Sequence, residues 1–129
     1  EGLIAADKML ASDAPSYYKQ YAILAYARLG SREHVAKVEK LLDDETVCTT
    51  HRVNDTEYQT QFRDIALAVA LHLYGQDPKA FGFDRLARHS QYVFSSYSLG
   101  FEDDAKRQAA FDQWHAFRRE QDERRPPAN

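Results

Sequence analysis

The sequence predicts an all-α fold, built as a short stack of antiparallel helical hairpins or as a compact helical bundle. Only 5 glycines and 4 prolines occur in 129 residues, a composition poor in the turn formers that a many-stranded β fold needs. Apolar residues recur at helical spacing in several segments, and residues 62–74 are apolar on nearly every side. A chain of this length fits one domain. We therefore expect a single helical domain over residues 1–125 and a disordered tail over residues 126–129.

Three helices are expected in the first third of the chain. Residues 3–10 carry one apolar face of a short opening helix, and turn-forming residues at 12–15 end it. The second helix runs to Gly30, and the third spans residues 31–42 with a stripe of valines and leucines. Because these two helices are joined so tightly, we expect them to pack as an antiparallel hairpin.

An insertion at about residues 46–60 interrupts the helical pattern. It contains β-branched residues on both sides of a turn at residues 53–55, so it forms either a long loop or a small β-hairpin. Residues 62–74 then give the most apolar helix of the chain, which Gly75 ends. A helix that is apolar on nearly every side must lie at the centre of the fold.

The last third of the chain is expected to contain short helical turns and one long helix. Residues 79–100 are aromatic without one clear period, which indicates short turns pinned by rings. Three acidic residues at 102–104 supply negative charge to a helix start, and apolar residues continue at helical spacing to Phe117. The sequence after Glu120 is polar, so we expect the helix end to fray there.

An acidic pair, Asp43 and Asp44, separates helical segments at residues 21–42 and 62–67, and Arg63 stands at the start of the later segment. Over residues 18–78 this arrangement resembles the HEAT repeat family, whose units are a helix, a turn, a second helix and an acidic linker. Successive helix pairs of such repeats stack to share a continuous core.

The resemblance implies structural roles for the charged residues at the junction between units. These residues are Asp43, Asp44, Arg63 and Asp64. It also implies protein–protein recognition as the commonest task, although some members of the family bind nucleic acid and a few act on damaged DNA bases. Fold alone does not fix function, so these remain expectations.

The composition argues against several kinds of partner. The formal net charge of −3 lacks the cationic field that attracts nucleic acid, and no nucleic-acid partner is expected. The longest apolar run is about half of what a bilayer span requires, so no membrane span is expected. A single cysteine, Cys48, excludes an internal disulfide and a zinc site built from several cysteines. We expect no metal and no cofactor.

Cys48 and His51 are the sharpest local hint of chemistry. Their spacing allows a thiolate and an imidazole to reach one metal ion, or to act as nucleophile and base. A zinc site needs further ligands, and a catalytic pair needs an orienting group and an oxyanion pocket. The simpler interpretation is a loop cysteine beside an exposed histidine.

Aromatic residues in irregular segments or around one helix are the candidates for a binding surface. Tyrosine gives a large contact area with little loss of entropy, although rings on an apolar stripe are often buried in the core. The candidate binding residues are Tyr17, Tyr26, His51, Tyr58, Phe81, Phe83 and Tyr92.

With no assembled reactive group in the sequence, we expect a non-catalytic protein–protein interaction or scaffold module of a larger protein. Its partner would be another protein or the remainder of its parent chain. The alternative is a hydrolase or DNA-repair-like enzyme that uses Cys48, His51 or carboxylates in a concave face. A pocket in which these residues converge with an acid such as Asp55 or Asp64 would favour the enzyme.

Overall fold

Five α-helices and two small antiparallel β-sheets make up the protein in a computed structural model that describes residues 2–124. In chain order these elements are α1 (Gly2–Ala11), α2 (Ser16–Leu29), α3 (Val35–Glu39), β1 (Val47–Val53), β2 (Thr56–Gln61), α4 (Phe62–Leu73), β3 (Arg88–His89), β4 (Val93–Phe94) and α5 (Asp104–Arg124). Short 3-10 turns lie at Arg32–His34, Pro78–Phe81 and Ser96–Leu99. The predicted all-α class is therefore wrong, because the fold is mixed α and β.

The first sheet is a hairpin of β1 and β2, which occupies the insertion at residues 46–60 that could have been a loop or a hairpin. Asn54 takes a left-handed backbone conformation with φ of 56° at the turn, as asparagine does more readily than most residues. The inner face of the hairpin carries Thr49, His51, Tyr58 and Thr60. Because that face is polar or amphipathic, the sequence lacks the alternation of apolar and polar residues that marks a strand.

The second sheet, β3 with β4, is only two residues long on each side. Its turn is held by His89, whose Nδ1 accepts hydrogen bonds from the backbone N–H groups of Gln91 at 3.0 Å and Tyr92 at 3.1 Å. Val93 has a φ of 70°, which is rare for a β-branched residue, and the N–H of Phe94 donates to the carbonyl of Tyr92 at 2.8 Å. Such a turn leaves no repeating signal in the sequence, and the expectation of helical turns alone missed it.

Helix α4 lies at the centre of the core, as the sequence predicts. Every residue from Ile65 to Leu71 is fully buried, and α2, α3 and α5 pack around it. The helix ends where Gly75 takes a φ of 74° and the N–H of Gln76 donates to the carbonyl of Leu71 at 2.9 Å. These features define a Schellman motif, in which glycine relieves the cost of the left-handed conformation.

Several predicted helix bounds need correction. The helix expected over residues 31–42 is a 3-10 turn followed by five residues of α3, so it is much shorter than its partner α2. Helix α5 continues to Arg124 rather than fraying after Glu120. Intrahelical ion pairs such as Arg124 with Glu120, at 2.8 Å, support this polar end. The tail predicted at residues 126–129 lies outside the described residues.

One hydrophobic core includes residues from Ala6 in α1 to Trp114 in α5. Rings from α5 and from the segment after α4 close it, with Tyr74 packed edge-on against Phe117 at 5.4 Å between ring centroids.

Among the described residues, no helix combines the length and the apolar character that a bilayer crossing requires.

Candidate functional site

Five aromatic side chains from α2 and from the β3–β4 hairpin form one continuous row. In spatial order they are Tyr18, Tyr17, Tyr21, Tyr92 and His89, and we call this set the tyrosine row. Successive ring centroids lie 5.6, 5.7, 4.8 and 4.9 Å apart along it. Two predicted binding residues, Tyr17 and Tyr92, therefore belong to one surface although they lie far apart in the sequence.

Helix geometry places the first part of the tyrosine row. Tyr17 and Tyr21 are four residues apart and so share one face of α2. The hydroxyl of Tyr21 donates to the hydroxyl of Tyr17 at 3.2 Å. That hydrogen bond, with some burial of the ring, raises the pKa of Tyr21 to about 12. The rings of Tyr17 and Tyr21 pack edge to face against each other, an arrangement that aromatic quadrupoles favour.

The β3–β4 hairpin places the second part of the row. His89 fixes the backbone of Tyr92, and the Tyr92 ring packs on Tyr21. Arg28, near the end of α2, donates from Nη1 to the carbonyl of Gln91 at 2.9 Å, which ties the hairpin to the helix. The row is thus supported by two elements that are held to each other.

The outer end of the tyrosine row is open to solvent. Tyr17 is 53% exposed and Tyr18 is 56% exposed, whereas Tyr21 and Tyr92, further along the row, are partly buried. Large exposed rings on a fixed backbone can be buried by a partner at low entropic cost. The i,i+4 spacing of Tyr17 and Tyr21 was visible in the sequence, but nothing there linked them to Tyr92 and His89.

A second aromatic group lies on the inner face of the first hairpin and includes His51 and Tyr58. These two predicted binding residues are directly opposite each other in β1 and β2. His51 packs on the ring of Tyr97 at 4.9 Å, and the guanidinium of Arg85 lies 3.8 Å from the centroid of Tyr58. Of these four side chains, only Tyr97 is strongly exposed.

The remaining predicted binding residues lie mainly inside the protein. Tyr26 and Phe83 are each only 2% exposed. The Tyr26 hydroxyl is hydrogen-bonded to Asp7, while Phe83 packs on Phe101 at 5.1 Å. Phe81 is partly buried against Phe117. None of these three rings joins the tyrosine row.

The side chains of Cys48 and His51 lie in different environments. The Cys48 thiol is buried and donates to the carbonyl of Thr60 at 3.3 Å, whereas the His51 ring packs on Tyr97. Burial, reinforced by the negative charge of Asp64, raises the pKa of Cys48 to about 12. A thiol with that pKa stays protonated near neutral pH, and only the thiolate is an effective nucleophile or metal ligand. The geometry gives no support to a reactive pair.

The two carboxylates proposed as partners of that pair lie in other places. Asp55 is in the turn of the hairpin and exposed. Asp64 is buried at the start of α4, where it accepts from Arg107 Nε at 2.8 Å, from Arg107 Nη2 at 3.0 Å and from the N–H of Gln61 at 2.9 Å. Burial raises the pKa of Asp64, and the hydrogen bonds from Arg107 and Gln61 act against that rise.

The other charged residues given structural roles lie around the same helix start. The Asp44 carboxylate accepts from the N–H of Thr46 at 3.0 Å, and its carbonyl accepts from the N–H of Arg63 at 2.9 Å. Arg63 donates to Gln61 Oε1 at 2.5 Å and lies 3.9 Å from Glu45. These contacts join the end of the α3 region to the start of α4.

A cleft of about 370 Å³ lies beside this junction. Its lining residues are Leu42, Asp43, Arg63, Asp104, Arg107, Gln108, Phe111 and His115. Both arginines in the cleft are already paired, Arg107 with Asp64 and Asp104 and Arg63 with Gln61 and Glu45. The positive charges of the two arginines are therefore matched by carboxylates of the protein itself. Over residues 2–124, no group of three or more His, Cys, Asp or Glu side chains is placed to hold a metal ion.

Comparison with known proteins assigns the chain to no family. No protein-family model matches the chain, and neither a curated protein nor a solved structure matches it. A functional proposal therefore depends on the geometry described above.

Proposed function

We propose that the protein is a non-catalytic interaction module that binds another protein, or the remainder of its own parent chain, through the tyrosine row. The observation that carries this proposal is the pair of exposed rings, Tyr17 and Tyr18, at the end of a row of aromatic side chains in mutual contact. Exposed aromatic groups that are not scattered singly are typical of interaction sites.

The chemistry of the row suits a protein partner. Tyrosine is enriched among the residues that dominate binding energy, because its ring covers a large area while its hydroxyl can form hydrogen bonds. The helix and the hairpin already order the row, since Tyr21 is bound to Tyr17 and Arg28 is bound to Gln91. Tyr17 therefore has less side-chain freedom to lose on binding than an unrestrained tyrosine, which favours affinity.

A protein partner is favoured over a polyanion by charge. The chain has a formal net charge of −3, and nucleic-acid affinity depends strongly on neutralising phosphates with Lys and Arg. Arg28, which lies beside the row, is engaged with the carbonyl of Gln91. The resemblance to HEAT repeats stays a prediction, and it points to the same class of partner.

The proposal is tested by comparing Tyr→Ser substitutions at two different surfaces. The double variant Tyr17→Ser/Tyr18→Ser removes the exposed rings of the row, and Tyr97→Ser removes an exposed ring outside it. Proteins captured from an extract by the wild type are identified, purified and titrated against each variant. We expect the double variant to lose at least about tenfold in affinity, and the Tyr97 variant to bind as the wild type does.

Two results would contradict the proposal. One is a purified partner that binds the wild type and both variants equally, because the row would then lie outside the interface. The other is that neither a captured protein nor the remainder of the parent chain binds the purified wild type directly. Circular dichroism of each variant establishes that a loss of binding is not a loss of folding.

A further inference from the structure

The imidazole of His89 holds the turn of the β3–β4 hairpin through one ring nitrogen. Nδ1 accepts a hydrogen bond from the N–H of Gln91 at 3.0 Å and another from the N–H of Tyr92 at 3.1 Å. A ring nitrogen accepts only while it carries no proton, so the proton of the neutral ring is on Nε2. The closed turn therefore requires the neutral form of His89.

A second proton on the ring would remove this acceptor. In the imidazolium form both ring nitrogens carry hydrogen and act only as donors. Nδ1 would then face the N–H groups of Gln91 and Tyr92, and two hydrogen bonds would become contacts between donors. The exposed cation would gain from the ring of Tyr92, 4.9 Å away, but less than the two hydrogen bonds together contribute. Protonation of His89 therefore favours an open turn.

Backbone strain beside His89 adds to this tendency. Val93 has a φ of 70°, a conformation that is costly for a β-branched residue. Across Val93, the N–H of Phe94 donates to the carbonyl of Tyr92 at 2.8 Å, which makes a three-residue turn of the strained kind. The hydrogen bonds to His89 help to hold this conformation, so their loss lets the backbone relax.

Tyr92 transmits the state of the turn to the tyrosine row. Its backbone is fixed by His89, and its ring packs on Tyr21 of α2 at 4.8 Å between centroids. When the turn opens, Tyr92 loses its fixed position and the row is divided between the helix and the hairpin. The base of the hairpin stays in place, because the N–H of Ser95 donates to the carbonyl of Ala87 at 2.9 Å. The change is therefore confined to the turn.

We propose that protonation of His89 opens the β3–β4 turn and weakens binding at the tyrosine row, so that the protein binds its partner at neutral pH and releases it in acid. This inference rests on the proposed function of the row. Since the closed turn needs the neutral ring, it is fully populated at high pH and is lost as the pH falls. Histidine is the side chain that ordinarily changes its charge between about pH 5 and pH 8.

One other imidazole lies near the hairpin. The charged or titratable side chains on the elements around the turn are Arg88, Asp77, Arg28, Tyr21, Tyr92 and His72. Of these, only His72 is of a type that ordinarily titrates in the same range. Its ring packs on Phe94 of β4 at 5.5 Å, and burial, with the charge of Arg88, lowers the pKa of His72. The test must therefore separate His72 from His89.

Two substitutions of His89 separate the acceptor from the titration. His89→Asn supplies a side-chain oxygen that accepts from N–H groups shortly after it in a turn, and it takes no proton in this range. His89→Ala removes the acceptor. We expect the asparagine variant to stay closed and the alanine variant to stay open at every pH. His72→Gln should respond to pH as the wild type does.

Nuclear magnetic resonance measures the turn itself between about pH 5 and pH 8. The amide signals of Gln91 and Tyr92 report the two hydrogen bonds, and the ring carbons of His89 report its protonation. Overhauser effects between rings report the contact of Tyr21 with Tyr92. In the wild type we expect the amide signals to shift as His89 titrates, and the ring contact to be lost in acid.

Three results would overturn the proposal. One is a wild type in which Tyr21 and Tyr92 stay in contact while His89 is protonated. Another is a His89→Asn variant that loses this contact in acid as the wild type does. The third is a His72→Gln variant without the pH response, because the titrating group would then be His72.

The second test measures the effect on binding. The partner identified for the tyrosine row is titrated with the wild type and with His89→Asn at both ends of the pH range. Titrating groups of the partner act equally on both proteins, so the difference between them isolates His89. We expect the wild type to lose about tenfold more affinity in acid than His89→Asn.

The two proposals fail in different ways. If the turn opens but both proteins lose equal affinity, regulation by His89 is wrong and the proposed function stands. If no partner binds the wild type at any pH, the proposed function is wrong and regulation of the row falls with it. The resonance measurements decide the opening of the turn in either case.

Discussion

Arg107 of α5 and Asp64 of α4 form a buried ion pair in which two guanidinium nitrogens contact the two carboxylate oxygens at 2.8 and 3.0 Å. Arg107 also donates from Nη2 to the carbonyl of Gln59 at 3.0 Å and from Nη1 to Asp104 at 3.0 Å. One side chain therefore joins α5 to the start of α4 and to β2. Gln59 also forms an isolated antiparallel β-bridge with Phe101. The Arg107–Asp64 pair therefore helps to fix the edge of β2 that faces Phe101.

Removing one member of that pair should be strongly destabilising. Arg107→Met leaves the buried Asp64 carboxylate without its partner, and we expect a loss of about 3–5 kcal/mol in the free energy of unfolding. Urea unfolding followed by circular dichroism measures this change. The matched control is Lys106→Met, one residue earlier, because Lys106 pairs with Glu102 on the exposed side of α5. If both variants lose the same small amount of stability, the buried pair does not have the structural role assigned to Asp64.

The central helix could be predicted from the sequence, whereas the contacts around it could not. Residues 62–74 are apolar on nearly every side, and a segment of that length and pattern predicts a buried helix. For residues 46–60 the sequence predicts either a long loop or a small β-hairpin, because polar residues such as Thr49 occupy the inner face of the hairpin. The partner of Asp64 lies 43 positions away, and no local pattern indicates such a distant contact.

The same limit applies to the candidate site. Tyr17 and Tyr21 could be assigned to one helix face from their spacing. Their contact with Tyr92 depends on a two-residue sheet and on a valine with positive φ, and neither follows from propensity. Tyr26 is also a tyrosine of α2, but unlike Tyr17 it faces the core.

Gln20 offers a stabilising substitution. It is fully buried on α2, and neither its Nε2 nor its Oε1 has a hydrogen-bond partner among the described residues. An unpaired buried amide costs about 1–3 kcal/mol, so Gln20→Met, which keeps the side-chain length, should raise the free energy of unfolding by about that amount. Gln108→Met, at an exposed position on α5, should change stability little. A Gln20→Met variant less stable than the wild type would show that the amide makes a favourable interaction.

Gly75 tests the end of the central helix. Its φ is 74°, and a Cβ built there would contact nothing within 4 Å, so the effect of a substitution is purely conformational. Gly75→Ala should lower the free energy of unfolding by about 1–2 kcal/mol, the cost of the left-handed conformation for an L-residue. Gly75→Asn should cost less, because asparagine adopts this conformation more readily. Equal thermal stability of the alanine variant and the wild type would contradict the left-handed helix end.

Cys48 gives the stability of the protein a dependence on alkaline pH. Burial raises the pKa of its thiol from the ordinary value of 9.0 to about 12 in the folded state. Between these two values the unfolded chain has lost a proton that the folded chain retains, so unfolding becomes more favourable as the pH rises. This one group should lower the free energy of unfolding by about 1.4 kcal/mol per pH unit in that interval, and should have no such effect well below pH 9.

The variant Cys48→Ala isolates that contribution, because the lysines and tyrosines that also titrate at high pH are the same in both proteins. Urea unfolding at a series of pH values above 9 should give a steeper decline for the wild type than for Cys48→Ala, whatever the constant difference caused by the lost packing. Below pH 8 the two curves should run parallel. A thiol reagent should modify native Cys48 only at the rate of unfolding, since the buried thiol is protonated. Fast modification of the native protein, or parallel curves at all pH values, would mean that the thiol ionises in the folded state.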